Sequence, residues 1–263
     1  METMRYPGSM WAQIRNPSDV FDEPNNEIIE GAIEQGVDWA QPGENLWLNS
    51  FMTIELKRDQ DKLNWNQENK LSIGTQLRYT GIDRTLVALG AKHDRVKRIR
   101  SGDNKEGMTY FLNWHSYWDL AEIFGGSEAA SSRLPLPGTT WGQLRYPAAR
   151  FDEEKNSTLV EGSIQQGIDW YRPSENTRLN TFAQADYTFD SKRIDWNNKM
   201  NFGAGAKLKV FVGKGALLEI GAMYRRQHRF VSNRSNGDRV LFLNWSSSWD
   251  LGGFARNLFT KPQ

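Results

Sequence analysis

The chain has 263 residues, a length that allows one large domain or two modest ones. Its 33 Lys and Arg balance 32 Asp and Glu, so its net charge does not favour nucleic acid or an anionic surface as a partner. The chain has no cysteine, which excludes disulfides and thiolate metal sites, and no apolar run approaches the ~18 residues of a transmembrane helix.

Six segments of the first half alternate apolar and polar residues with a period of two, which predicts β-strands with one apolar and one polar face. In Leu71–Tyr79, for example, Leu, Ile, Thr, Leu and Tyr share one face, and Ser, Gly, Gln and Arg share the other. Such strands explain how 12% aromatic residues coexist with a mean hydropathy of −0.69. The predicted strands cover residues 9–15, 27–39, 46–57, 69–80, 84–98 and 107–119.

The predicted connections alternate in length. Longer polar segments follow the first, third and fifth strands, whereas short turns such as Gln41–Asn45 and Gly81–Asp83 follow the second and fourth. Since consecutive antiparallel strands change direction at each connection, the long loops gather at one end of the sheet and the short turns at the other. Both termini then lie at the short-turn end.

The second half of the chain repeats the first. Phe111–Leu120 returns 131 positions later as Phe242–Leu251 with eight of ten residues identical, and Trp11–Arg15 returns as Trp141–Arg145. We divide the chain into repeat one (6–123), a linker (124–135), repeat two (136–254) and a C-terminal tail (255–263). Because six strands alone would leave two sheet edges, we predict an all-β fold, a single antiparallel up-and-down β-barrel of about 12 strands across residues 1–263.

Charged residues on the polar strand faces are the candidate lumen lining. Glu30, Glu34 and Asp38 form a ladder, but residues four apart on a strand are about 13 Å apart, too far to share one metal ion. A charged row along a water-filled interior is the better interpretation, with the charges paired across strands, setting the pore electrostatics, or both. The alternative is the solvated outer face of a soluble sheet. The candidate lumen residues are Glu30, Glu34, Asp38, Arg78, Lys92, Glu161, Asp169, Lys207, Lys209 and Arg225.

Tryptophans that recur in both repeats are candidate interface aromatics, because their rings favour the boundary between hydrocarbon and water. Core residues of a soluble sandwich would give the same pattern. Basic residues at 95, 97, 226 and 228 fall on the apolar face toward the long loops, where a membrane barrel would place them against lipopolysaccharide phosphates. The candidate interface aromatics are Trp39, Trp114, Trp118, Trp170, Trp245 and Trp249.

Signals for catalysis are weak. His93, His115 and His228 occupy non-equivalent positions of the two repeats. The sequence contains no nucleophile motif, and its glycine-rich segments lack the spacing of a phosphate-binding loop. We therefore predict no enzymatic activity, no cofactor and no metal site.

The chain resembles bacterial outer-membrane β-barrels in strand alternation, loop asymmetry and aromatic placement. It is most similar to the C-terminal barrel domains attached to periplasmic repeat regions in exopolysaccharide-secretion and phage-adsorption outer-membrane proteins. The resemblance implies a location in the bacterial outer membrane, the lipid bilayer and lipopolysaccharide as partners, an N-terminal periplasmic region of a longer chain, and passage or recognition of a polysaccharide. The balanced net charge predicts no nucleic-acid partner.

The predicted function is that of an outer-membrane barrel acting as a channel or a membrane anchor, for passage of a polysaccharide or a small solute. The alternative is a soluble protein with two tandem all-β modules that bind a glycan or protein partner through exposed aromatics. An enzyme is the third choice. Hydrogen bonding between the first and the twelfth strand would distinguish one barrel from two modules.

Overall fold

The computed structural model describes residues 4–17, 19, 21, 25–123, 134–213 and 215–252. Within these residues the chain forms twelve strands and three short 3₁₀ turns, at Asn64–Asn66, Asp152–Asn156 and Asp195–Asn197. None of the helices in this part of the chain is long and apolar enough to cross a membrane. The strands are β1 (Pro7–Asn16), β2 (Ile28–Gly43), β3 (Leu46–Asp59), β4 (Glu68–Ile82), β5 (Thr85–Arg98), β6 (Asn104–Asp119), β7 (Pro137–Tyr146), β8 (Leu159–Ser174), β9 (Thr177–Asp190), β10 (Lys199–Val212), β11 (Ala216–Arg229) and β12 (Arg234–Asp250).

The sheet closes on itself. Each strand pairs with the strands before and after it in the chain, and β1 pairs antiparallel with β12 from Pro7 opposite Asp250 to Asn16 opposite Leu241. This closure confirms the predicted twelve-stranded up-and-down barrel. It also excludes two separate soluble modules, because strands of both repeats pair at both junctions, β6 with β7 and β1 with β12.

The barrel is apolar outside and polar inside. Ile73, Leu89 and Leu241 lie on the outer face with 59%, 60% and 62% of their surface exposed, whereas Asn49 and Ser72 are fully buried on the inner face. Soluble proteins usually show the opposite arrangement, with the large aliphatic side chains inside. The two-residue alternation read from the sequence therefore separates an outer apolar face from an inner polar one.

The connections follow the predicted asymmetry. Two-residue turns at 44–45, 83–84 and 175–176 join strands at one end, and Asn45 and Arg84 adopt the positive φ that tight hairpin turns require. Connections at the other end span up to twelve residues, as at 147–158. The connection predicted at 99–106 is shorter, because β6 already begins at Asn104. The first residues of β6 are all polar and do not alternate with apolar residues. The end of a strand that projects into water can be polar on both faces, so this part of β6 gave no signal in the sequence.

The linker and the tail are described only in part. Residues 124–133 and 253–263 lie outside the described residues, so the predicted linker 124–135 is visible only at its end and the predicted tail 255–263 not at all. The carbonyl of Pro135 accepts a hydrogen bond from the backbone of Asp169 at 3.1 Å, which ties the end of the linker to β8.

Candidate lumen site

The structure places all the predicted lumen residues on the inner face of the barrel. Four of them are less than a tenth exposed, although residues on the outer face of the same strands are exposed: Asp38, Asp169, Lys207 and Arg225. Cross-strand register puts the other predicted residues on the same side; Glu34, for example, lies opposite Thr53. The alternation of the strands thus brings charges from both repeats to one interior surface.

Cross-strand pairs neutralise much of this inner charge in the first repeat. Asp38 accepts hydrogen bonds from Arg78 Nη1 at 3.0 Å and from Asn49 Nδ2 at 2.8 Å. Glu30 pairs with Arg15 at 3.2 Å. Such pairing lowers the cost of removing charges from bulk water, because each carboxylate keeps a donor.

The second repeat makes matching pairs at the positions that the sequence match predicts. Asp169 accepts from Asn180 Nδ2 at 2.8 Å and from Lys209 Nζ at 3.4 Å, and Glu161 pairs with Arg145 at 3.4 Å. Both repeats also place an edge-to-face pair of phenylalanines inside the barrel, with Phe51 and Phe111 at 5.9 Å between ring centroids and Phe182 and Phe242 at 6.0 Å. The ends and the aromatic layer of the lumen are therefore alike in the two halves.

In the half of the lumen formed by the first repeat, the buried Asp94 is surrounded by hydrogen-bond donors. We call this group the Asp94 cluster; it consists of Ser72, Lys92, Asp94, Thr109 and Arg150. Asp94 accepts from Ser72 Oγ and Thr109 Oγ1, both at 2.6 Å. Lys92 Nζ and Arg150 Nη2 lie 3.9 and 3.8 Å from its carboxylate oxygens. The buried carboxylate thus has four polar neighbours.

The corresponding part of the second repeat contains a cavity of about 570 Å³. Met223, Arg225 and Val240 occupy the positions that correspond to Lys92, Asp94 and Thr109, and all three line the cavity. The acid is replaced by a base, and the flanking donors are replaced by apolar side chains. The backbone register is the same in both halves, so the difference comes from the side chains alone.

Two lumen tryptophans were missed by the sequence interpretation. Trp11 lies opposite Ser246, and Trp141 lies opposite His115 and Ser163, all on the inner face. The signal was present, since each tryptophan precedes an inward Gln by two residues and must share its face. The sequence interpretation used these tryptophans only as markers of the repeat.

The predicted interface tryptophans fall into two groups. Trp39 and Trp170 lie on the outer face next to the short turns, about half exposed, and donate to Ser50 Oγ and Thr181 Oγ1. The other four, on β6 and β12, are partly buried because they lie along the sheet. Three of these cover glycines of β1 or β7: Trp114 lies over Gly142, Trp118 over Gly138 and Trp249 over Gly8.

Two long connections fold toward the mouth of the lumen. Arg150, between β7 and β8, donates to the carbonyl of Gly107 at 2.7 Å, and the neighbouring Phe151 packs under Arg98 with 4.2 Å between guanidinium carbon and ring centre. Asp19, between β1 and β2, pairs with Lys199 at 3.3 Å. Equivalent connections of the two repeats therefore narrow the opening at the long-loop end.

A loop carboxylate at the same end is held in its charged form. Partial burial disfavours ionisation of Asp195, but its pKa lies below the usual value because the backbone of Ser232 donates to it at 2.8 Å and Arg229 lies 3.6 Å away. These contacts connect the β9–β10 and β11–β12 loops. No group of His, Asp and Glu side chains in the described part of the chain could hold a metal ion.

No protein-family model and no curated protein sequence matches the chain, and three solved structures that are similar to it share 8 to 12% of its sequence. The β domain of the Bordetella autotransporter Brka is 12% identical, with 94% of this chain and 100% of that one covered and a TM-score of 0.44. An outer-membrane channel from Pseudomonas putida F1 is 9% identical over 95% and 97%, with a TM-score of 0.45. A bacterial polysaccharide outer-membrane secretin is 8% identical over 93% and 97%, at 0.44.

Proposed function

We propose that this chain spans the bacterial outer membrane as a barrel and acts as a narrow channel for polar solutes. The observation that carries the proposal is the side-chain distribution on the closed sheet, with aliphatic residues exposed outside and paired charges inside. An uncovered apolar surface of this kind drives aggregation in water, whereas hydrocarbon is the solvent that matches it.

The strand lengths suit a membrane span. Strands of 10 to 17 residues reach or exceed the roughly 9–11 residues that a tilted strand needs to cross the hydrocarbon. In barrels of this class short turns face the periplasm, so we place the start of β1 and the end of β12 there. Trp39 and Trp170 would then lie at the periplasmic interface, and a periplasmic region preceding the barrel would join it at this end.

The outer rim carries groups suited to lipopolysaccharide. Arg95, Lys97 and Arg226 are exposed on the outer face, and His228 lies two residues beyond Arg226 on the same face. These groups lie toward the long loops, which we place outside the cell. Guanidinium and ammonium groups at this level would bind the phosphates of lipopolysaccharide.

The lumen limits what a channel could carry. Each half holds a phenylalanine pair, but the first half is filled further by the Asp94 cluster, whereas the second half keeps the cavity. We propose passage of small polar solutes, or of an extended chain such as a polysaccharide, along the second half. A membrane anchor is the second candidate function, and the filled first half favours it.

Conductance separates the two candidates. The purified barrel, inserted into a planar lipid bilayer, should give discrete current steps if it is a channel, and a heat-modifiable gel band should show that the protein is folded. Folded protein that inserts into the bilayer without producing any current would refute the channel and support the membrane anchor. Protein that is monodisperse in buffer without detergent would contradict the membrane assignment itself.

A further inference from the structure

The second-repeat cavity contains a buried cation without a partner. Arg225 is 7% exposed and lines the cavity, and its guanidinium makes no hydrogen bond or ion pair with any residue that the structure describes. Its cross-strand neighbour Asp238 lies outside ion-pair distance and accepts instead from the backbone of Arg239 at 2.7 Å. Arg15, Asp186 and Asp19 act on it only from a distance.

An unpaired guanidinium at this depth is costly, because water is removed and no carboxylate replaces it. The corresponding position of the first repeat shows how the fold satisfies a buried charge, since Asp94 has four polar neighbours there. Nothing similar surrounds Arg225, because Met223 and Val240 flank it. The arrangement is that of a site whose partner comes from outside the chain.

Other polar atoms of the cavity wall also lack partners among the described residues. Gln227, 1% exposed, has a free Nε2 donor, and Asn201 has a free Oδ1 acceptor. Cross-strand register places Trp141, Ser163, Asp186, Asn201 and Gln227 in one row. The row adjoins the Arg225 position and presents donors, acceptors and an aromatic face to the same space.

We infer that this cavity is a binding site for a hydroxylated organic acid of the sugar-acid class. The carboxylate of the solute would lie on the Arg225 guanidinium, with Gln227 Nε2 as a further donor. Its hydroxyl groups would donate to Asn201 Oδ1 and to the Asp186 carboxylate. The ring of Trp141, 47% exposed, supplies a flat apolar face for the carbon skeleton.

The volume and the other charges agree with this class of solute. A cavity of about 570 Å³ lies within the roughly 300–1,000 Å³ usual for small-molecule sites. Several other charges on its wall are paired: Lys199 with Asp19 at 3.3 Å, Glu219 with Lys207 at 2.7 Å and Arg15 with Glu30 at 3.2 Å. Lys57 also lines the cavity without an ion pair among the described residues, but it is less buried than Arg225, so Arg225 is the buried cation available to an anionic solute.

This inference rests on the proposed channel for its biological meaning, but its test does not need conductance. Binding of D-glucuronate to the folded barrel in detergent is measured by calorimetry, with D-glucose as the uncharged probe of the same shape. We expect glucuronate to bind at least tenfold more tightly than glucose. Arg225→Gln should abolish that preference, because it removes the positive charge and keeps a polar side chain.

Arg239→Gln is the matched control, since Arg239 is exposed on the outer face and its loss removes one positive charge nearby. We expect it to bind glucuronate like the natural chain. Arg225→Lys keeps the positive charge but loses the planar set of guanidinium donors, so it should bind glucuronate with intermediate affinity. If Arg225→Gln does not fold, Arg225→Lys provides the test instead. Trp141→Ala should weaken both sugars alike.

Absence of glucuronate binding to the natural chain, or equal binding by Arg225→Gln, would overturn the site. Binding without bilayer conductance would keep the site and refute the channel. Conductance without glucuronate binding would refute the site and keep the channel.

Discussion

The two halves of this barrel share a backbone and differ in the middle of the lumen. In the first repeat the buried Asp94 is surrounded by hydroxyl and cationic donors, whereas in the second repeat Arg225 faces a cavity that Met223 and Val240 also line. Register and strand order are the same in both halves. Closure of the sheet therefore depends on features that the repeats share, while the filling of the lumen depends on a few inward positions.

The largest expected effect comes from exchanging the central charge of the first half. Asp94→Arg would place a buried guanidinium beside Lys92 and Arg150, which lie 3.9 and 3.8 Å from the natural carboxylate. We expect the free energy of unfolding to fall by about 3–5 kcal/mol, because like charges replace a compensated acid. Urea unfolding in detergent measures this loss.

Arg225→Gln is the control in the other half. Because Arg225 has no described partner to lose, we expect unfolding at the same urea concentration or at a higher one. Equal destabilisation by the two variants would contradict the difference between the halves.

Where the halves agree, matched variants should behave alike. A Cβ added at Gly8 would come within 2.1 Å of Trp249 Nε1, and one added at Gly138 within 2.0 Å of Trp118 Nε1. Alanine at either position should displace the ring and cost about 1–3 kcal/mol of stability. The melting temperatures of the two variants should fall by similar amounts, and Gly43→Ala, where the nearest atom is 3.8 Å away, should have little effect.

Ion selectivity sharpens the comparison further. Glu161 lines the second-half cavity and Glu30 does not, although each pairs with an arginine. If ions pass along the cavity, Glu161→Gln should shift the reversal potential toward anions about twofold more than Glu30→Gln. Glu44→Gln, in an exposed turn, is the control. A larger shift for Glu30→Gln would place the conducting path in the first half.

The smallest expected effect concerns the outer rim. Arg95 and Arg226 occupy corresponding positions of the two repeats on the outer face. Replacing either by Gln should reduce stability in membranes containing lipopolysaccharide by about 1 kcal/mol, and should change nothing in phosphatidylcholine. Thermal unfolding in the two lipids measures the difference, and an equal loss in both would count against a contact with lipopolysaccharide.

Much of the fold could be predicted from the sequence, because a period of two assigns every residue to a face. The same rule assigned Glu30, Asp38 and the other charged residues to the interior. It could also have assigned Trp11 and Trp141, which share the face of Gln13 and Gln143. Alternation thus predicts which side a residue faces, provided that every residue of a strand is counted.

The contacts along each face could not be predicted in the same way. Asp238 lies directly opposite Arg225, yet its carboxylate turns to the backbone of Arg239. The pattern of β6 and β12 also did not indicate that Trp118 and Trp249 lie flat over glycines of the neighbouring strands, Gly138 and Gly8; their place at a membrane interface stays a prediction. Such outcomes depend on side-chain rotamers and on neighbours from distant parts of the sequence, which one strand's pattern does not contain.

If the barrel spans a bilayer, alternate residues of each strand contact hydrocarbon and the lumen. Because the chain has no cysteine, single cysteines along 241–247 of β12 can each carry a spin label in reconstituted bilayers. Labels at Leu241, Leu243 and Trp245 should be accessible to oxygen and shielded from a water-soluble nickel reagent, and labels at Asn244 and Ser246 should not share that behaviour. Equal accessibility of all positions to the nickel reagent would contradict a barrel that spans the membrane.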